Sequence, residues 1–216
     1  MDLLWLIPWF RKRRIEQARA AMQSAQTIVS NIGNTLQPYT VSQAYLPERV
    51  IRPLLSQVNE LNGVTLPPVA KTVHRTKDAT MQKHLESITR DTDQLHGVLT
   101  RQNDEYVQRM ITAHSKLLVD ELGLDAAQRV AAVRDDERNL VIAAAGSGKT
   151  RTLIARVRYL LERGTGPSSV LAVTFTNKAT EEMEDRLKQM GVPIAEGGGH
   201  GVTVSTMHAL GKRVVQ

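Results

Sequence analysis

Eight consecutive residues, Ala143-Ala144-Ala145-Gly146-Ser147-Gly148-Lys149-Thr150, have the types and spacing of a loop that cradles phosphate. Gly146 and Gly148 let the backbone turn its N–H groups toward phosphate oxygens, Lys149 supplies a cation for the outer phosphates, and the Thr150 hydroxyl can ligate Mg2+. The run through Arg151 is therefore a candidate nucleotide site, with Lys149 and Thr150 the candidate catalytic pair and Thr150 the candidate metal ligand. Alone, such a run is a glycine-rich turn. Its chemistry needs a strand before it and a helix after it. Asn139 to Ala143 reads as that strand, and Leu153, Ile154, Val157, Leu160 and Leu161 recur at helical spacing toward a stop at Gly164.

The rhythm of strand and helix continues. Ser169 to Thr174 reads as a strand, Lys178 to Met190 as a charged helix, Val202 to Ser205 as a strand and Met207 to Val215 as a helix. Alternation of this kind predicts an α/β fold with a parallel sheet and right-handed crossovers, whose ligands gather at the carboxyl ends of the strands. Phe175-Thr176-Asn177 and Thr206-Met207-His208 fall at such ends, so they are expected to share a rim with the phosphate loop. Phe175 there either stacks on a base or turns inward as core.

Four segments, in order, resemble motifs of the superfamily 1A (UvrD/Rep-like) helicases. Leu124-Asp-Ala-Ala-Gln128-Arg129 is similar to their Q motif, Ala143 to Thr150 to motif I (Walker A), Ala172 to Ala179 to motif Ia, and Val204 to Leu210 to the next DNA-contact motif. The likeness is nearest to the bacterial helicase IV type, because a long helical region precedes the motor and Asn103 to Gln128 resembles its lead-in. It implies a P-loop (RecA-like) parallel sheet with helices on both faces over 123–216, incomplete at the C-terminus and preceded by an α-helical accessory region over 1–122. It also implies ATP with Mg2+ as cofactors, single-stranded DNA as partner, and ATP-dependent helicase activity of 3'-5' polarity. By the same resemblance Gln128 reads the adenine edge with Arg129 packing nearby. Phe175 stacks on a base, Thr174, Thr176 and Asn177 make polar DNA contacts, and Thr206 and His208 meet the strand further along. Two positions depart from the pattern: Ala144 stands where glycine is usual, and Met207 where phenylalanine is usual.

A working motor of this kind also needs an acidic strand end for magnesium and arginines from a second domain. No apolar strand ending in Asp or Glu follows Thr150, and Glu181, Glu182, Glu184 and Asp185 have the spacing of a solvated helix face. The expectation is a fragment of a longer helicase, or a truncated product that holds nucleotide or DNA without turnover.

The 216 residues suggest one or two domains, and 41% hydrophobic content is enough for a core. A net charge of +6, with ten Lys or Arg against six Asp or Glu from Asn139 onward, suits a polyanionic partner without specifying one. The absence of cysteine excludes disulfides and thiolate chemistry. His74, His84, His96 and His114 have no metal-ligand spacing and read as surface or packing residues.

In the amino-terminal half, Arg11 to Ile32 is helix-like, Pro38, Pro47 and Pro53 punctuate the next segment, Asn62-Gly63 suggests a turn and Leu66-Pro67-Pro68 a break. Leu95, Leu99, Gln102, Tyr106, Met110, Ala113 and Leu117 then line one helix face, with Asp91 expected as its cap and Gly123 as its end. A helical accessory region fits this pattern better than a coiled-coil dimer seam, which Gln102 and Ala113 weaken. Leu3 to Phe10, followed by Arg11-Lys-Arg-Arg14, is too short to span a bilayer and in the wrong order for a secretory signal. The tip docks into protein or rests on a membrane surface. A cytoplasmic location is expected. A membrane-surface scaffold with a vestigial loop is the alternative from a different class.

Overall fold

The computed structural model describes residues 7–195 and 199–215. Residues 3–6 of the apolar tip therefore lie outside the described residues. Contacts divide the chain into two compact units, Met1–Tyr106 with Asp135–Arg138, and Val107–Arg134 with Asn139–Gln216.

The first unit is helical: α1 (Pro8–Ser42), α2 (Glu48–Glu60), α3 (Leu66–Thr76) and the larger part of α4 (Ala79–Ala113). On α1, Ala18, Met22, Ala25, Val29, Ile32 and Leu36 recur every three or four residues and are all buried, which is why it runs past the predicted Ile32. Pro38 and Pro53 lie inside helices rather than ending them. Each forfeits one backbone bond, which the buried faces around them offset. Pro67 and Pro68 do not make the expected break: α3 follows directly on Leu61–Thr65 with helical backbone at Thr65, and Leu66 and Val69 on either side of the two prolines are buried. Asn62-Gly63 is not a turn either. Leu61–Thr65 is a π-helical stretch, held in line because Leu61 and Leu66 at its two ends are both buried in one core with Met22, Val69 and Ile88.

α4 starts earlier than the sequence pattern suggests. Asp78 Oδ1 accepts from the backbone N–H of Thr80 at 3.0 Å and of Met81 at 3.2 Å, so Asp78 caps it and Asp91 lies within it. Met81 and Ile88, buried upstream of Leu95, carry the extra turns. Asn103 grips the segment between α1 and α2 in both directions, its Oδ1 accepting from Leu46 N and its Nδ2 donating to Leu46 O, each at 2.8 Å. Asp135–Arg138 docks on the same unit: Tyr106 OH donates to Asp135 Oδ2 at 2.7 Å and Tyr45 OH to Asp136 Oδ2 at 3.2 Å.

The second unit is α/β. After a π-helical stretch (Lys116–Glu121) come α5 (Ala126–Val133), α6 (Lys149–Glu162), β1 (Leu171–Thr174), α7 (Asn177–Gln189), β2 (Thr203–Thr206) and α8 (Met207–Val215). β1 and β2 pair in parallel, with Leu171 opposite Thr203 and Thr174 opposite Thr206. Ile154 and Val157 of α6, Met183 and Leu187 of α7, and Val170, Ala172, Val202 and Val204 close one core over this ribbon. α6 ends where predicted: Gly164 takes φ 88°, Gly164 N donates to Leu161 O at 2.9 Å and Thr165 N to Leu160 O at 3.0 Å. Of its expected face Ile154 and Val157 are buried but Leu153 is 41% exposed, and Tyr159, outside that expectation, is fully buried and stacks edge-on against His114. His114 Nδ1 also meets Glu162 Oε2 at 2.8 Å, in line with its reading as a packing residue.

One predicted element is absent among the described residues. Asn139 to Ala143 is not a strand, and the sheet has two strands. Leu140 is 87% and Ile142 90% exposed. An extended segment becomes a strand only when a neighbour completes its ladder, and β1 and β2 pair with each other. The phosphate loop is thus not joined to this ribbon by a paired strand; it is tied to it through α6, whose Ile154 and Val157 pack in the same core.

Candidate nucleotide and nucleic-acid site

The loop before α6 has the backbone that phosphate binding asks for. Gly146 sits at φ 76° and Gly148, the residue before the first turn of α6, at φ 81°. No side chain caps the helix, so the N–H groups of Lys149, Thr150 and Arg151 are left for an anion. Within the loop the carbonyl of Ala144 accepts from Ser147 Oγ at 2.7 Å, Ser147 N at 3.3 Å and Lys149 Nζ at 2.7 Å. Lys149 Nζ also reaches Ala143 O at 3.2 Å. The ammonium therefore folds over the loop mouth, and Ala143 and Ala144 act through carbonyls. The extra methyl of Ala144 leaves that arrangement intact. Ala145 and Ser147 are exposed around the same turn.

Gln128 joins this loop to α5. Its backbone N–H donates to Asp125 Oδ1 at 2.8 Å, and its side-chain Oε1 accepts from Asp125 N at 3.1 Å, a reciprocal cap of the helix start. Its remaining amide nitrogen donates to Ser147 O at 2.8 Å. An added Cβ on Gly148 would lie 2.7 Å from that nitrogen and 3.3 Å from Arg151 Nη2. A side chain at 148 would have to push aside the ends of the Gln128 and Arg151 side chains, and the backbone at φ 81° favours glycine. Arg129 lies on the outer turn, its Nε donating to Asp125 O at 3.3 Å. The capping box was legible in the Asp-x-x-Gln spacing of 125–128; the reach of Gln128 to Ser147 was not, because nothing local sets it.

Beside the loop, Lys149, Thr150, Arg156, Val141, Leu153 and Met183 line a cleft of about 360 Å³. It shares Lys149 and Thr150 with the loop but not Gly146, Gly148 or Gln128, so it is a groove along α6 beside the loop.

The strand ends form a second group, and the sheet register brings its two halves together. Thr174 faces Thr206 across the ribbon, so Phe175 and Met207 leave neighbouring strands at the same level. Phe175 is 83% exposed, which excludes the inward core position, and Met207 is exposed beside it. The hydroxyls here also serve the helices that come next. Thr176 Oγ1 accepts from Ala179 N at 3.2 Å and Thr206 Oγ1 from Ala209 N at 3.2 Å, capping α7 and α8. Thr174 Oγ1 shares a hydrogen bond with Thr180 Oγ1 at 2.6 Å. Asn177 and His208 are exposed on the first turns of their helices. The rim therefore offers one flat aromatic face, two helix starts and few unengaged hydroxyls.

Residues 124–216 match the UvrD/REP helicase N-terminal domain family. Over 117 residues the chain is 35% identical to DNA helicase IV of Escherichia coli, covering 53% of this chain and 16% of that protein. It is 41% identical over 95 residues to ATP-dependent DNA helicase UvrD1 of Mycobacterium leprae, covering 44% of this chain and 12% of that one. Against ATP-dependent DNA helicase PcrA of Bacillus subtilis it is 39% identical over 95 residues, with the same 44% and 12% coverage. The chain thus spans between 12% and 16% of the length of these relatives.

Proposed function

We propose that this chain, whose residues 124–216 belong to the UvrD/REP group of superfamily 1A helicases, forms the nucleotide loop and the start of the single-strand track of an ATP-dependent DNA helicase. By this reading the translocation polarity is 3'-5' and the setting is the cytoplasm; no helix among the described residues is long and apolar enough to cross a membrane. The observation that carries the proposal is the Gln128 to Ser147 bond at 2.8 Å beside the positive-φ Gly148, which joins the base-reading candidate to the phosphate-seating candidate.

Bound magnesium-ATP would supply the phosphoryl group whose hydrolysis drives movement. The N–H groups of Lys149, Thr150 and Arg151 would face its phosphates, the Lys149 ammonium would exchange the carbonyls of Ala143 and Ala144 for phosphate oxygens, and Thr150 Oγ1 would hold the metal. Gln128 would exchange its bond to Ser147 O for the adenine edge. Phe175 stacks on a base of the single strand, flanked by Asn177 and His208. The acidic strand end and the arginines that phosphoryl transfer requires are assigned to other parts of the helicase.

The test is equilibrium binding of a fluorescent ATP analogue with Mg2+ to the purified chain. Wild type should bind, and Lys149→Ala should lose binding without loss of folding. Equal binding by both would overturn the assignment of the loop.

A further inference from the structure

The first unit is nearly neutral but strongly polarised. Over its residues, 1–106 with 135–138, there are fourteen Lys or Arg against thirteen Asp or Glu. Eight of the fourteen lie in 11–19 and 71–77, where Glu16 is the only acid. The fold brings these two segments together: Arg19 Nη2 near the start of α1 lies 3.8 Å from Asp78 Oδ2 just after α3, so the two helices run antiparallel at this end.

Between them is a cleft of about 510 Å³. Arg14, Gln17, Ala18 and Ala21 form its α1 wall, one face at helical spacing, and Pro68, Lys71, Thr72 and Arg75 recur in the same way on α3. Ala18 and Ala21 keep the floor low. Among the described residues no carboxylate lines it. Lys71 and Arg75 are exposed and Arg14 half-buried, so long cationic side chains from two helices converge over a polar-rimmed trough. Charge of one sign in a concave setting concentrates an anionic partner.

We propose that this cleft is a second nucleic-acid site, a clamp for the phosphodiester backbone of DNA that reads charge and not sequence. It rests on the reading of the chain as part of a DNA-handling protein. Arg14, Lys71 and Arg75 provide the phosphate contacts, Gln17 and Thr72 the neutral donors beside them. The site differs in kind from the Phe175 rim: it has no aromatic platform for an unpaired base, and so it takes duplex as readily as single strand.

The experiment is anisotropy of a blunt duplex of about 20 base pairs with the full chain across a salt series, since each phosphate contact contributes about 0.9 to the slope of log affinity against log salt. Arg14→Gln/Lys71→Gln/Arg75→Gln should lower duplex affinity on the order of tenfold or more and flatten that slope by about 2 to 3. Arg14→Lys/Arg75→Lys should keep the slope, and the exposed single change Lys71→Glu should flatten it in a chain that melts like wild type. Phe175→Ala should leave duplex binding unchanged, so loss of single-strand binding in that variant bears on the helicase reading alone. Unchanged affinity and slope in the triple variant and in Lys71→Glu would overturn the clamp. So would absence of duplex binding by the wild-type chain, or a cleft-dependent affinity found only for phosphatidylserine-containing vesicles.

Discussion

The amide nitrogen of Gln128 lies 2.7 Å from where a Cβ on Gly148 would stand, and it donates at 2.8 Å to the carbonyl of Ser147, one residue earlier. A side chain at 148 would therefore displace the Gln128 amide from its present position in this bond. The backbone there also has φ 81°, a conformation L side chains rarely adopt.

Gly148→Ala should consequently act twice. The left-handed backbone costs about 1 to 2 kcal/mol of folding stability, and the displaced Gln128 loses its hold on the loop. Nucleotide affinity should fall on the order of tenfold beyond the stability effect. A double-mutant cycle with Gln128→Ala checks the coupling: the two affinity losses should be clearly less than additive. Full additivity would mean that Gln128 and Gly148 act on the loop independently.

Phe175→Ala separates stacking from folding. The ring is 83% exposed, so its removal should change stability by no more than about 0.5 kcal/mol. Stacking on one base is worth about 1 to 3 kcal/mol, so single-strand affinity should drop by roughly one to two orders of magnitude. Thr206→Ala should behave the other way, because its hydroxyl caps α8: a loss of about 1 kcal/mol in stability with a smaller effect on DNA. Melting curves and single-strand titrations on both variants decide between these roles.

These residues also show what a linear sequence discloses. The helices α6, α7 and α8, the strands near 171–174 and 203–206 and the glycine stop at Gly164 arise from periodicity and turn chemistry, which act over a few residues. The positions of Phe175 and Met207 on one level come from strand register, which the alternation of elements only suggests. The failures are non-local in origin. Asp91 is a sound capping type, but Asp78 wins because Met81 and Ile88 extend the buried face of α4 upstream. Asn139 to Ala143 has strand composition but joins no strand ladder among the described residues, and Asn62-Gly63 has turn composition overridden by the burial of Leu61 and Leu66.

The unpaired segment carries a prediction of its own. Leu140, Val141 and Ile142 are 87%, 52% and 90% exposed, a run of apolar side chains with open backbone groups that invites association. The chain should self-associate with rising concentration in light scattering or sizing. Leu140→Lys/Ile142→Lys should reduce that association without lowering the melting temperature. A wild-type chain that stays monomeric, or a charged variant that melts early, would show that the segment is covered in solution.

Gln102 tests the helical unit. Its Nε2 donates to Tyr39 O at 3.1 Å and to Ala44 O at 3.0 Å, so a side chain of α4 satisfies carbonyls at and just beyond the last turn of α1. It is only 9% exposed, and Tyr39 and Ala44 are half-buried beside it. Gln102→Leu is close in volume and removes both bonds; Tyr39 O keeps the Ala44 N–H at 3.0 Å, so the Ala44 carbonyl loses the Gln102 donor outright, at a cost of about 1 to 3 kcal/mol. The expected result is a lower melting temperature with an unchanged oligomeric state. If α4 instead formed a dimer seam through this face, leucine at 102 would remove the polar break and strengthen association. Sedimentation of Gln102→Leu beside wild type, read together with thermal melts, distinguishes the two: a destabilised chain of unaltered association supports the cap, whereas a tighter, more stable dimer would establish the seam.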